Sequence, residues 1–287
     1  MKLLNRFPPI VLILVSIVCV NAGAAFAKHL FTSYGALGTV FLRVFFAALV
    51  LWIWARPRWR ELTTTGWRTT LLFAFALAAM NASYYMALDR LPLGLAVTIE
   101  FVGPLSIALW QSHRLLDTIW VLLAAAGIAL LNPLSGVLDP IGIGFALAAG
   151  FFWGSYIVLG QRLGGTLPGQ QGLALAMAAA ALMLVPVGAV PAAPVVTDGF
   201  WLMVAIAVAL LSSVIPYTLE IEALRRMPTR LFGILMSLEP AVAALMGLLI
   251  LGEALNGKQV IAIALVMAAS YGAMRFARAS NKPNDAS

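Results

Sequence analysis

Apolar stretches of about twenty residues recur from one end of this 287-residue chain to the other, separated by short polar connections. About twenty apolar residues wound as a helix cross the hydrocarbon core of a bilayer. That pattern admits a polytopic helical membrane protein and little else. The composition agrees: 62% of residues are hydrophobic and 10% charged, with a mean hydropathy of +0.98, whereas soluble domains are about one quarter charged. A membrane barrel would show alternating segments of about ten residues, and none is present. Ten spans are predicted, at 8–27, 33–55, 67–88, 92–111, 116–132, 141–161, 170–190, 199–223, 230–250 and 258–277. The fold class is all-α, with no room for a soluble domain between spans and a polar tail at 279–287.

The net charge of +7 sits in the short connections, as topology signals do, and does not point to nucleic acid. With the N-terminus in the cytoplasm, fourteen basic residues fall on that side: Lys2, Arg6, Arg56, Arg58, Arg60, Arg68, Arg114, Arg162, Arg225, Arg226, Arg230, Arg275, Arg278 and Lys282. Three fall on the other: Lys28, Arg90 and Lys258. This bias predicts both termini inside. Lys2, Arg6 and Ala25-Phe26-Ala27 imitate a secretory leader, but the apolar run is long for one, so the first span is expected to be retained. Cys19 is the only cysteine, which allows neither an intrachain disulfide nor a thiolate metal cluster.

The stretch Ile99-Glu100-Phe101-Val102-Gly103-Pro104 lies within an apolar run from about Pro92 to Trp110. A carboxylate at membrane depth costs roughly 2.5–3.5 kcal/mol on insertion scales and by default marks a pathway. Pro104 has no N–H to donate to the carbonyl four residues back, and that residue is Glu100. The acid is therefore expected at a kink, beside a freed carbonyl. The alternative is a protonated acid in a packing kink.

The chain also repeats. Ala87-Leu88-Asp89-Arg90-Leu91-Pro92 returns 136 residues later as Ala223-Leu224-Arg225-Arg226-Met227-Pro228, and twelve residues after each final proline comes Pro104 or Pro240. Gly23 and Gly154 stand in roughly corresponding places. Two halves of five spans follow, and because five is odd the second is inverted. Inverted repeats with interrupted helices are a transporter signature, with the site near the midplane.

Ten spans in two such halves resemble the drug/metabolite transporter superfamily with its paired EamA-type repeats, here expected at 1–136 and 137–278. Trp153-Gly154-Ser155 and Leu251-Gly252-Glu253 followed by Gln259 match that repeat. Three stretches are similar to the bacterial threonine/homoserine exporter branch: Leu93-Gly94-Leu95-Ala96-Val97 through Pro104, Pro216-Tyr217-Thr218-Leu219-Glu220, and Met227-Pro228-Thr229-Arg230 through Met236-Ser237-Leu238-Glu239-Pro240. Glu222 departs from the branch, which would carry an apolar residue there. The resemblance implies efflux of small amino acids across the inner membrane, coupled to proton entry.

Arg43 and Glu100 lie about ten and eight residues into their spans. At 1.5 Å per residue they are roughly 15 and 12 Å deep, at nearly one level. An amino acid could insert between them, its carboxylate on the guanidinium and its ammonium on Glu100; the alternative is a permanent ion pair. Neither charge recurs in the second half, where the positions correspond roughly to Met177 and Met236. Glu239, before Pro240, is either a proton carrier or a capping group at a kink. Glu220 joins it as a candidate through the branch motif. Asn81 and Tyr84 share a helix face, and with Tyr217, which follows Pro216, they would line a polar path or glue helices. Pro104, Pro216 and Pro240 are the expected kinks or hinges. Glu222 is expected to pair with Arg226 on its own helix. Glu253 is expected at a span end, solvated by headgroups and structural, and His29 is interfacial.

No phosphate-binding loop is present, and no nucleophile or metal arrangement is visible, so neither an enzyme nor an ATP-driven pump is expected, and no cofactor or metal. The expected partners are a small amino acid, protons and the bilayer, for a monomer or a homodimer. Three readings compete with amino-acid export: export of other metabolites or drugs, a membrane-embedded lipid enzyme, and an assembly subunit.

Overall fold

Twelve α-helices and three short 3-10 or π turns, with no strand among the described residues, make up the computed structural model, which describes residues 7–110, 116–130, 138–163 and 169–276. Lys2, Arg6, Arg114, Arg278, Lys282, the boundary expected between 136 and 137, and the tail lie outside those residues.

The first helix, α1, runs Pro9–Ala55. Its 47 residues would extend about 70 Å at 1.5 Å each, roughly twice a bilayer core. Gly35, at φ 63° and ψ 170°, interrupts it. A residue with a Cβ adopts such a positive φ only at a cost, so the glycine marks the bend. The connection expected at 28–32 is thus helical, and the turn comes at Gly35 instead. Lys28 and His29 suggested a loop by their charge, but they are compatible with helical backbone while Gly35 is the residue that breaks it.

Helix α2 spans Thr64–Leu88 and begins with Thr63, whose side chain accepts from the Gly66 N–H. The expected span 92–111 is two short helices, α3 (Leu93–Glu100) and α4 (Val102–Trp110). After α5 (Leu116–Leu130) and α6 (Pro140–Leu163), α7 (Gly169–Ala192) carries Pro186 and Pro191 inside it. The expected span 199–223 is composite: α8 (Gly199–Ala209), a five-residue π-helix at Leu210–Val214, and α9 (Ile215–Leu224). The span 230–250 is again two pieces, α10 (Thr229–Met236) and α11 (Glu239–Leu251), before α12 (Gly257–Phe276). Among the described residues, six helical stretches are long and apolar enough to cross a membrane, and three shorter apolar ones accompany them.

Both broken pairs share a cause. Phe101 keeps a near-helical backbone (φ −63°, ψ −14°), as do Ser237 (φ −63°, ψ −11°) and Leu238 (φ −79°, ψ −13°). The breaks are kinks, placed where Pro104 and Pro240 remove a ladder hydrogen bond. The eight-residue helices α3 and α10 begin 136 residues apart.

Helix α1 packs along α7, α8, the π-helix, α9 and α11; α2 lies on α6 and α7; α3 lies between α6 and α11; and α5 pairs with α12. Helices from early and late in the chain are thus interleaved. Leu30, Leu77, Leu88, Leu93 and Ile99 are fully buried, while Leu182, Val190, Phe151 and Leu249 face outward. Outward apolar side chains suit lipid. Small residues, which let membrane helices close up, make the contacts: a methyl added at Gly94 would lie 2.7 Å from the Ala244 Cα.

Polar ties hold the connections at one end of the bundle. Arg90 Nη1 reaches Asp139 Oδ2 at 2.8 Å, and Asp139 Oδ1 accepts from the Ile141 N–H at the start of α6. The Arg90 hydrogen bond first, then the Ile141 N–H, holds the Asp139 carboxyl below its ordinary value. Lys28 Nζ meets Glu253 Oε1 at 2.6 Å, each side chain 19% exposed. The carboxylate is therefore engaged by protein, where headgroup solvation was expected.

Candidate functional site: a buried charge network at the helix breaks

Proline chemistry builds this site. Pro216 cannot donate to the carbonyl four residues earlier, and that carbonyl belongs to Ser212, inside the π-helix. Arg43 Nη2 donates to the Ser212 carbonyl at 2.7 Å, and Arg43 Nε donates to Ser213 Oγ at 3.0 Å. The guanidinium carbon lies 5.3 Å from the centre of the Tyr85 ring, within the range of a cation–π contact. A buried arginine, 4% exposed, is thereby held by neutral acceptors and an aromatic face. Among the described residues it makes no salt bridge with a carboxylate. The permanent Arg43–Glu100 ion pair is therefore not formed.

Glu100 ends α3 and is 8% exposed. Pro104 leaves its carbonyl without the helical donor, while the next bond of the ladder, Leu105 N–H to the Phe101 carbonyl, is kept at 3.2 Å. The freed oxygen faces α6 at Gly150, where an added methyl would lie 2.6 Å from it. A Cβ at Gly103 would in turn collide with the Gly150 carbonyl. Two glycines thus let α6 meet the broken helix backbone to backbone.

Glu239 opens α11 and is 9% exposed. Its position in the first turn suits the positive end of the helix dipole, and its Oε2 has no hydrogen-bond partner among the described residues. Glu220, on α9, accepts a 2.6 Å hydrogen bond from Ser16 Oγ of α1. Glu222, on the same helix, pairs with Arg226 at 3.4 Å, as its spacing predicts.

These groups form one electrostatic neighbourhood. Glu100 interacts with Glu239 and Arg43, and Glu239 with Glu220. Tyr84 senses Glu100, Glu239 and Arg43. Tyr217 senses Arg43, Glu220 and Glu100 and lies beside Asn81, whose Nδ2 donates to the Leu77 carbonyl at 2.8 Å. The structure brings together Arg43, Glu100, Glu220, Glu239, Asn81, Tyr84 and Tyr217. Pro104, Pro216 and Pro240 stand at the three interruptions that hold them.

Sequence reading missed Ser16, Ser212, Ser213, Tyr85 and Tyr156, which interacts with Tyr217 and Glu220. Ser212 had a signal, since it stands four residues before Pro216. The others had none. A groove of about 490 Å³ between α4 and α6, lined by Gly103, Ser106, Gly150, Phe151, Gly154 and their neighbours, carries no charged side chain. No group of three or more metal-ligating acids, histidines or cysteines occurs among the described residues.

Comparison with known proteins gives this geometry a lineage. Residues 140–275 match the EamA-like transporter family. The threonine/homoserine exporter RhtA of Salmonella typhimurium strain SL1344 is 42% identical over 268 residues, covering 92% of this chain and 90% of its own. The protein of that name from Escherichia coli K12 is 41% identical over 278 residues, covering 96% and 94%. A solved crystal structure aligns with a TM-score of 0.58 at 18% identity, over 93% of this chain and 97% of that one; this likeness shows the fold alone. The chain belongs to the EamA-like transporters of the drug/metabolite transporter superfamily, in the branch of the RhtA proteins, and is a multi-pass protein of the inner membrane.

Proposed function

We propose that this protein exports small hydroxylated amino acids of the threonine and homoserine kind, by alternating access and in exchange for protons. The observation that carries the reading is the buried meeting of one unpaired cation with several acids, supplied by helices from both halves of the chain. Arg43 presents a guanidinium whose own partners are neutral, so a substrate carboxylate can compete for it without breaking an ion pair. Glu100 and Glu239 supply negative charge for the ammonium. Glu220, with its hydroxyl partner, is a third carboxyl that can take and release a proton.

Support for the substrate comes from the names of relatives at 41–42% identity over most of both chains. Proton exchange is the simplest energy source for a site holding two buried acids, a half-buried third and one buried cation. A proton arriving on an acid would weaken its hold on the ammonium, and release would follow on the side where protons enter. The orientation read from the basic residues places that side outside, with both termini in the cytoplasm and ten spans as two inverted repeats.

Proteoliposomes preloaded with labelled threonine test the reading. Export driven by an inward proton gradient, reduced by homoserine competition and lost when an ionophore collapses the gradient, is expected. Export indifferent to the ionophore would refute the coupling. A panel in which neither threonine nor homoserine moves while other metabolites do would refute the substrate.

A further inference from the structure

We infer that Lys28 and Glu253 are positioning residues, a latch that fixes the short helix α3 and must release for its end of the bundle to open. This rests on the alternating-access reading only for the purpose of the opening.

Helix α3 carries Glu100 at its far end and has only eight residues, so about 10 Å separates its first and last residues. At its start, Pro92 supplies no side-chain cap. The cap comes from elsewhere: Glu253 Oε2 accepts the Leu93 N–H at 2.7 Å. The other oxygen, Oε1, binds Lys28 Nζ at 2.6 Å, and that ammonium also donates to the Leu91 carbonyl at 3.1 Å. One carboxylate thus ties together α1, the turn between α2 and α3, and the turn between α11 and α12. Two glycines shape it. Gly252 adopts φ 68°, which turns the chain back after α11. Gly247 leaves room for the carboxylate, since an added methyl there would lie 2.9 Å from Oε2.

At its other end α3 is hinged. Pro104 removes the ladder bond to the Glu100 carbonyl, and the chain kinks at Phe101. A short rod, hinged where its functional acid sits and tethered by three polar contacts at its tip, can swing when those contacts part. The tether is made of hydrogen bonds and one ion pair, which water can replace at a membrane surface. The apolar packing of the rest of the core cannot be exchanged that way.

The test uses the full chain in membranes, with Cys19→Ser and one new cysteine, Leu93→Cys, at a fully buried position. A membrane-impermeant thiosulfonate is applied from the side bearing Lys28. Lys28→Ala and Glu253→Ala should each speed labelling by about tenfold or more, since each removes two charge-assisted hydrogen bonds and the loss of one accounts for about tenfold. A control cysteine, Val195→Cys, buried in the connection between α7 and α8 on the same side of the membrane in the predicted topology, should label at an unchanged rate in the same variants. Unchanged Leu93→Cys labelling in either variant overturns the latch, because the pair is then a static tie. Acceleration at both cysteines also overturns it, because the helices have then loosened generally. The assay needs no substrate. A chain that labels as expected but never exports threonine sinks the substrate reading alone, and an exporting chain with unchanged labelling sinks the latch alone.

Discussion

Pro104 and Pro216 each strip a carbonyl of its helical donor, and the two freed oxygens have different fates. That of Ser212 is taken by Arg43; that of Glu100 lies against Gly150. Three outcomes follow. Arg43→Lys keeps the charge but cannot reach two acceptors through a planar fork. Losing one hydrogen bond to a charged group, about 1.5–3 kcal/mol, should lower export about tenfold or more, read as initial rates at matched protein levels. Pro216→Ala returns an N–H that competes with Arg43 for the Ser212 carbonyl. Export should fall while thermal stability holds or rises, as melting and transport of the same preparation would record. Gly150→Ala places a methyl against backbone, which cannot swing aside, so overpacking of about 1–3 kcal/mol is expected as a lower melting temperature. The charged residues were legible because each interrupts an apolar run. The hydroxyls were not: Ser16 and Ser213 are ordinary in membrane helices, and their partners lie 204 and 170 residues away.

Among the elements, the interrupted helices carry the site, and each interruption has a local cause. The kinks at 101 and 237–238 were readable from Pro104 and Pro240. The π-helix was not, since it arises where the helix must pass Pro216 while offering Ser212 and Ser213 to α1. The bend at Gly35 went unread because Lys28 and His29 drew attention to themselves, and only a backbone angle distinguishes Gly35 from glycines that remain helical. At the start of α6, Asp139 is held ionised by Arg90 and by the Ile141 N–H. Because its folded value is depressed, the tie is complete above the ordinary carboxylate range of about 3.9 and is lost as pH falls through the lower, folded value. Asp139→Asn should therefore lower thermal stability at neutral pH, and the difference from the parent should shrink as acid titrates the parent's own carboxylate. A difference that persists unchanged to the lowest accessible pH would contradict that tie.

Across the whole molecule, Arg43 and Glu100 come from early in the chain and Glu220 and Glu239 from late in it, and neither set makes a complete site. The interleaving of α1 with α7, α8, α9 and α11 brings them together, so a relative motion of the halves would alter every distance between the two sets at once. Such coupling is what a carrier with alternating access needs. It also explains why the site could be nominated but not assembled from the sequence: depth along a span is countable at 1.5 Å per residue, whereas which spans adjoin is not. The most direct measurement is amino-acid efflux from preloaded proteoliposomes under an imposed proton gradient, comparing the intact chain with Glu100→Gln. The account predicts that the intact chain exports threonine and that the variant, folded and inserted equally well, does not. Export by the variant at the parent's rate would make Glu100 a kink residue and would contradict the central claim.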